Sequence, residues 1–339
     1  MNIPSASRKP FAPPLGCKPI SGGVALSLTA ISAVLAGAFP SNYGGITFLA
    51  VAIGLFSYVL TAGFNFLYVL MGAGISVAVS LLCGVKFPLA LISLCFIPVA
   101  LAISISVRRK AGLSGTVAAS AAVALAISAL VLGLIYISSP NAMTEVLSSI
   151  WAQYEVMLRQ SVETVNSTEM GVIISENYIE EILHTTLMLL PAMAVICCMA
   201  LTYISAKILR LATVVNDSNE MFEGGRWPVT ASLAGSVVFT AAYIIAMFAS
   251  ASDIVYFSAT NIMYIMLPAQ AIVGLKLMFG QKRTAGIRSP ILKAIFSILC
   301  IFLLFYNPIL LLVLGAIICS FCNFRDALKE VFKNKGNDD

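Results

Sequence analysis

The chain has 339 residues, of which 60% are hydrophobic and 10% are charged, and its mean hydropathy is +0.97. A water-soluble globular domain carries about 25% charged residues, so this composition excludes one and indicates a protein whose solvent is the lipid bilayer. The formal net charge of +5 is small. We expect no nucleic-acid partner.

The chain begins with a basic, proline-rich stretch, residues 1–19, which predicts a flexible tail. The apolar run that follows predicts a first membrane helix within 20–39. A cleaved signal peptide is the alternative, because Ala36–Ala38 resembles a signal-peptidase site. If the helix is retained, its small residues let a neighbouring helix approach closely.

Four further apolar runs complete a first transmembrane half, residues 20–137. They are 46–61, 64–83, 87–107 and 115–137. Residues 138–181 then carry seven glutamates against the single base Arg159, so they are too polar to cross a membrane and predict an outer loop. Within the loop, apolar residues at helical spacing predict an amphipathic helix at the membrane interface or a lid over an outer mouth. These residues are Leu147, Ile150, Trp151, Tyr154, Leu158, Val162 and Val165.

A second transmembrane half, residues 182–322, contains the apolar runs 182–206, 228–249, 253–276 and 291–321. The last run is too long for one span of about 20 residues. It is interrupted by Asn307 and Pro308, and proline disfavours helix at the residue before it. We therefore predict two short helices there, followed by a cytoplasmic tail, residues 323–339.

The distribution of basic residues predicts the orientation. With ten crossings and the first tail inside, all lysines and arginines except Lys86 and Arg159 lie on the cytoplasmic side. This agrees with the positive-inside rule. The sequence thus predicts an all-α, polytopic transmembrane helix bundle of about ten hydrophobic helices, two or more of them short, with both termini cytoplasmic.

The run 253–276 holds the candidate ligand site. It carries Asn261, Tyr264 and Gln270 beside Pro268. Polar side chains inside a bilayer face protein or a cavity, because hydrocarbon offers them no hydrogen bonds. Helical geometry puts Asn261 and Gln270 on nearly opposite faces. We predict ligand contacts from Asn261, Tyr264 and Gln270, with interhelical hydrogen bonding as the alternative.

A metal or proton site has one pair of candidate residues. Glu180 and His184 are four residues apart, so they share a helix face and could together bind a divalent cation or relay protons. A di-metal site in a helix bundle needs a second Glu-x-x-His helix, and the chain has one histidine. We therefore expect a solvated helix end here and no metal site.

Catalytic and nucleotide-binding signatures are missing from the sequence. It contains no G-x-x-x-x-G-K-[ST], no H-E-x-x-H and no G-x-S-x-G. We expect no enzyme activity and no cofactor. If the protein takes part in ATP-driven transport, another subunit must supply the ATPase.

The last third of the chain resembles the YybS-like family of bacterial multi-pass membrane proteins of unassigned function. The resemblance lies in "FEGGRWP" before a span, "LPAQAIVGLKL" within the run 253–276, and "LGAIICSFCNFRDALK" near the end. Gly315, Phe324 and Arg325 fit the family's ending. Ala271 stands where the family more often has glycine, and the aspartate expected near Cys319 and Ser320 is absent.

The resemblance implies a distant similarity to substrate-binding subunits of energy-coupling-factor transporters. It implies an inner-membrane location, ATPase and transmembrane coupling subunits as partners, and a first helix that docks on a partner through Ala33, Ala36 and Gly37. We expect a transport-related membrane protein that binds a small molecule between helices. The alternatives are a secondary transporter with inverted halves and a structural or assembly membrane protein.

Overall fold

The computed structural model describes residues 18–41, 45–138, 140–167, 176–216, 229–250, 253–279 and 290–335. Every regular element in these ranges is helical, which confirms the predicted all-α class. The helices are α1 Gly22–Ala38, α2 Ile46–Ala62, α3 Phe66–Leu82, α4 Phe87–Ala90, α5 Phe96–Arg108, α6 Leu113–Ser138, α7 Pro140–Ser167, α8 Glu176–Val215, α9 Leu233–Phe248, α10 Ile254–Phe279, α11 Pro290–Tyr306 and α12 Pro308–Lys335. A 3-10 turn, Leu91–Cys95, joins α4 to α5.

Five stretches among the described residues are long and apolar enough to cross a membrane. They are Leu91–Arg108, Leu113–Leu134, Tyr178–Val215, Ile254–Leu277 and Pro308–Lys329. The apolar helices α1, α2, α3 and α9 and the segment Ser297–Tyr306 are shorter. The expected membrane helix bundle is confirmed at this level, whereas ten crossings and cytoplasmic termini stay predictions.

Two helices extend beyond the apolar runs that predicted them. Helix α8 begins at Glu176, within the predicted outer loop, and continues past Lys207 to Val215. Helix α12 continues to Lys335, through most of the predicted tail. The reason is that glutamate, lysine, arginine and leucine are good helix formers. Polar residues therefore end the apolar run, but the helix continues through them.

The predicted break in the last apolar run is confirmed. Helix α11 ends at Tyr306 and α12 begins at Pro308. The side-chain Oδ1 of Asn307 accepts a hydrogen bond from the backbone N–H of Leu310 at 3.1 Å. Asn307 therefore caps α12, and Pro308 occupies the first helical position, where its missing N–H costs no hydrogen bond.

Six helices, α1, α2, α3, α5, α6 and α8, pack into the larger part of the bundle. Helix α2 is its centre and contacts α1, α5 and α8. The fully buried rings of Phe56 on α2 and Phe96 on α5 lie 5.1 Å apart. A Cβ on Gly54 would lie 2.8 Å from the backbone oxygen of Ser205, so α2 and α8 are in close contact.

The small-residue face of α1 is used inside the chain. Ala33 and Ala36 have no exposed surface, and a Cβ on Gly37 would lie 2.5 Å from the backbone oxygen of Ser76 on α3. The hydroxyl of Ser80 donates a hydrogen bond to the carbonyl of Gly37 at 2.6 Å. Ala33, Ala36 and Gly37 are therefore buried by this chain's own helices, and their docking on a partner stays a prediction.

Helices α9, α10 and α12 form a smaller group around buried Phe239, Leu267 and Ala316, with α11 packed on α12. Helix α10 also contacts α8 and so joins the two groups.

Helix α7 has the predicted amphipathic character. The hydroxyls of its Tyr154 and of Thr186 on α8 lie 3.2 Å apart, which places α7 beside the N-terminal part of α8.

Polar contacts bring helix ends with basic residues together. The Asn216 amide donates to the Lys18 carbonyl at 3.4 Å, and the Arg108 guanidinium donates to the Leu60 carbonyl at 2.6 Å. Further hydrogen bonds join the residues before α9 to its neighbours, between Ser114 and Thr230 and from Asn323 to the Ala231 carbonyl. We call this end of the molecule, with Lys18, Arg108–Lys110, Lys207, Arg210 and Lys276, the basic end.

Candidate functional site

Asn261 on α10 faces α8, and backbone groups engage its carboxamide. The Ala192 N–H donates to Oδ1 at 3.0 Å. The Nδ2 group donates to the carbonyl of Met188 at 2.9 Å and to that of Phe257 at 2.8 Å. Both donor hydrogens and one acceptor position of the amide are thus used within the protein.

The position of Asn261 has a cause in α8, which contains Pro191. Proline has no N–H and its ring crowds the preceding turn, so it weakens the backbone ladder of a helix. Ala192 and Met188, which follow and precede it, are an i and i−4 pair. The Asn261 amide bridges this pair, and it satisfies backbone polar groups where hydrocarbon could not.

Gln270 lies on the other side of α10, toward α9 and α12, and is 2% exposed. Its Oε1 accepts a hydrogen bond from the hydroxyl of Ser236 on α9 at 3.3 Å. The same hydroxyl accepts one from the Asn323 amide on α12 at 2.8 Å. A chain of hydrogen bonds therefore links three helices, and we call these three residues the polar triad.

One turn beyond Gln270, α10 and α12 cross at two glycines. A Cβ built on Gly274 would overlap the backbone oxygen of Gly315, and one on Gly315 would lie 2.9 Å from that of Ala271. Side chains at these positions would force the helices apart. The sequence carries a small-residue signal here that the prediction of the site did not use.

Tyr264 packs against the cluster of Phe239, Leu267 and Ala316 between α9, α10 and α12. The structure therefore does not bring the three predicted ligand residues together. Asn261 bonds to α8, whereas Gln270 and Tyr264 contact the smaller helix group. Asn261 and Gln270 hydrogen-bond to neighbouring helices, which is the alternative interpretation of these residues.

The candidate metal residues lie at the start of α8. Glu180 and His184 are both exposed. The rings of His184 and Phe257 form a T-shaped contact, with their centroids 5.7 Å apart. Within the described ranges, no three histidine, cysteine, aspartate or glutamate side chains form a group that could hold a metal ion.

A cleft of about 260 Å³ lies between α6, α8 and α10. Its walls are apolar apart from the Ser114 hydroxyl and the Tyr203 side chain. The lining residues are Leu113, Ser114, Val117, Ile196, Met199, Ala200, Tyr203, Val229, Pro268, Ala269 and Ile272. Neither Asn261, Tyr264 nor Gln270 is among them.

One end of the cleft, at Ser114 and Tyr203, lies next to the basic end. The Ser114 hydroxyl at the start of α6 donates to the Thr230 carbonyl at 2.8 Å and accepts from the Thr230 N–H at 2.9 Å, so it is engaged by the protein. At the other wall, the Lys207 ammonium lies 5.3 Å from the centre of the Tyr203 ring. The cleft is therefore apolar inside and cationic at one rim.

Little in the sequence indicates this cleft. Its α8 wall follows helical spacing through Ile196, Met199, Ala200 and Tyr203, and such a stripe also describes ordinary helix packing. The spacing of two lysines is more informative about the cleft. Lys207 follows the cleft residue Tyr203 by four positions, and Lys276 follows the cleft residue Ile272 by four positions.

The fold defines a class. Helices of membrane length present large apolar side chains outward, among them Leu130, Leu211 and Ile254, and in a soluble protein such a surface would aggregate. The chain is a helical integral membrane protein with several spanning helices. Comparison with known protein families, curated proteins and solved structures finds no match.

Proposed function

We propose that this membrane protein is transport-related, binds a small, mainly apolar molecule in the cleft between α6, α8 and α10, and has no catalytic activity of its own. The observation that carries the proposal is the cleft itself. Its volume of about 260 Å³ lies just below the range of roughly 300–1,000 Å³ typical of ligand pockets. One small molecule fits that space, and an acyl chain fits it in part.

Asn261 and Gln270 act in this proposal by holding the walls of the cleft. Asn261 ties α10 to α8, which are two of the three walls. Gln270 ties α10 to α9 on the side away from α8. We therefore move the ligand contacts from Asn261, Tyr264 and Gln270 to the apolar cleft residues.

The proposal includes ten crossings of the inner membrane with the basic end in the cytoplasm. The contacts between Lys18 and Asn216 and between Arg108 and Leu60 support it, because they gather the basic helix ends at one side. Such an arrangement follows the positive-inside rule.

A partner ATPase with a transmembrane coupling subunit would supply the energy. This rests on the family resemblance and on the absence of a nucleotide motif in the sequence. A secondary transporter with inverted halves is less well supported for two reasons: the helices pack as a larger and a smaller group, and α10 continues unbroken through Pro268. Broken helices mark the sites of many such transporters.

Mass spectrometry of molecules released from the purified protein tests the binding proposal. Ala269→Phe fills the cleft from α10, and Ala241→Phe adds the same bulk on the exposed surface of α9. We expect a bound molecule in the wild type and in Ala241→Phe, and its loss in Ala269→Phe. Equal amounts in all three would refute the cleft as the site.

Purification in mild detergent separates the three roles. ATPase subunits that co-purify would support energy coupling through a partner. Uptake driven by an ion gradient with this chain alone would support the secondary transporter instead. If neither is found, the structural or assembly role is favoured.

A further inference from the structure

The cleft and the lysines at its rim together form an amphiphilic site. Tyr203 and Ile272 line the cleft from α8 and α10. Lys207 and Lys276 lie one helical turn further along the same two helices, toward the basic end. Because residues four apart share a helix face, both ammonium groups are placed beyond the same end of the cleft.

The cationic rim continues along α8. A shallow depression of about 550 Å³ begins at Tyr203, which it shares with the cleft, and includes Lys207 and Arg210. The positive charges of Arg210 and Lys276 lie near that of Lys207. Like charges so close to each other are unfavourable, and an anion between them relieves the repulsion.

We infer that the cleft holds one acyl chain of an anionic phospholipid, whose phosphate lies between Lys207 and Lys276. This inference deepens the proposed function and rests on it, because it names the chemical class of the apolar molecule. Charge complementarity selects the occupant: the walls are apolar, the rim is cationic, and the anionic lipids of a bilayer carry a phosphate at the depth where basic residues flank membrane helices.

The Tyr203 ring has a defined part in this site. It forms part of the cleft wall and also lies under the Lys207 ammonium, 5.3 Å from it. A cation over an aromatic face is held by the ring quadrupole. Tyr203 thus keeps the lysine at the rim, where it reaches a phosphate while the acyl chain contacts the apolar wall.

Native mass spectrometry of the full chain with added lipid tests the inference. The probes are phosphatidylglycerol, which is anionic, and phosphatidylcholine, which has no net charge. We expect the first bound molecule of phosphatidylglycerol to bind more tightly than the first of phosphatidylcholine. Lys207→Gln and Lys276→Gln should each weaken it about fivefold, as expected for one basic residue near a lipid surface, and leave phosphatidylcholine unchanged.

Three further variants make the result interpretable. Lys207→Arg keeps the charge and should keep most of the phosphatidylglycerol affinity. Lys329→Gln removes an exposed charge on α12, away from the cleft, and should have no effect. Ala269→Phe should weaken both lipids, because it removes the space for the chain.

The outcomes separate this inference from the proposed function. Unchanged phosphatidylglycerol affinity in both lysine variants would overturn the inference, and a loss of both lipids in Ala269→Phe would then still support an apolar ligand in the cleft. If the lysine variants weaken phosphatidylglycerol while Ala269→Phe leaves both lipids bound, the cleft is not the site and the proposed function fails.

Discussion

At the scale of single residues, Asn261 shows how an amide inside a membrane protein can be structural. Its partners are backbone groups of α8 next to Pro191 and of its own helix. The amide and the proline therefore form a matched pair, in which one residue weakens a helix and the other restores hydrogen bonds to it.

Asn261→Ala should destabilise the protein by about 1 kcal/mol, within the range measured for interhelical hydrogen bonds in membranes. The physical reason is that Ala192 N–H and Met188 C=O lose their side-chain partner. Reversible unfolding in a detergent titration measures the change. Ser258→Ala, at an exposed position of the same helix, is the control, and equal stability of both variants would contradict the bridging role.

Gly274→Ala should destabilise by about 1 to 3 kcal/mol or more, because the new Cβ would overlap the Gly315 carbonyl. Gly74→Ala on α3 is the matched control. A Cβ there meets nothing within 4 Å, so this change should be neutral or stabilising through the higher helix propensity of alanine. The same unfolding titration compares the two. A harmless Gly274→Ala would show that α10 and α12 do not cross so closely.

At the scale of elements, the polar triad connects helices that are far apart in sequence. Ser236 on α9 lies between Gln270 on α10 and Asn323 on α12. Its hydroxyl accepts a hydrogen bond from Asn323 and donates one to Gln270. The triad lies close to the glycine crossing of α10 and α12. Together they fix the smaller helix group, which in turn positions the α10 wall of the cleft.

A double-mutant cycle with Gln270→Met and Ser236→Ala measures this connection. We expect a coupling free energy of about 0.5 to 1 kcal/mol, because removing either partner leaves the other without its hydrogen bond. Additive effects of the two changes would mean that the bond does not stabilise the fold. Ser258→Ala with Gln270→Met provides a pair that should show no coupling.

The elements could largely be predicted from the sequence, because apolar runs fix where a helix must cover its backbone in hydrocarbon. Asn307 and Pro308 also predicted the break before α12. The long extensions of α8 and α12 were missed, since hydropathy reports membrane contact and not helix ends.

The candidate site could be predicted only in part. The local sequence showed that Asn261 and Gln270 need protein partners on two faces. It could not show which partners, because Asn261 and Ala192 are 69 residues apart along the chain. The cleft was not predictable, since it arises where three helices fail to pack fully and its lining residues are typical of any apolar helix face.

At the scale of the whole molecule, the gathering of basic helix ends predicts the orientation. A cysteine introduced at Ser114, at the basic end, should react with a membrane-impermeant maleimide only from the cytoplasmic side. One at Asp253, before α10, should react only from the outside. Labelling from the opposite sides would contradict the proposed orientation, and a variant with its native cysteines replaced gives the background.

We propose that ligand binds in the apolar cleft and not at the polar residues of α10. Site-specific photo-crosslinking in native membranes tests it directly, with p-benzoyl-phenylalanine replacing Met199 in the cleft wall or, separately, Tyr264. We expect an adduct of one discrete mass from position 199 and none from position 264. A discrete adduct at position 264 with none at position 199 would contradict it.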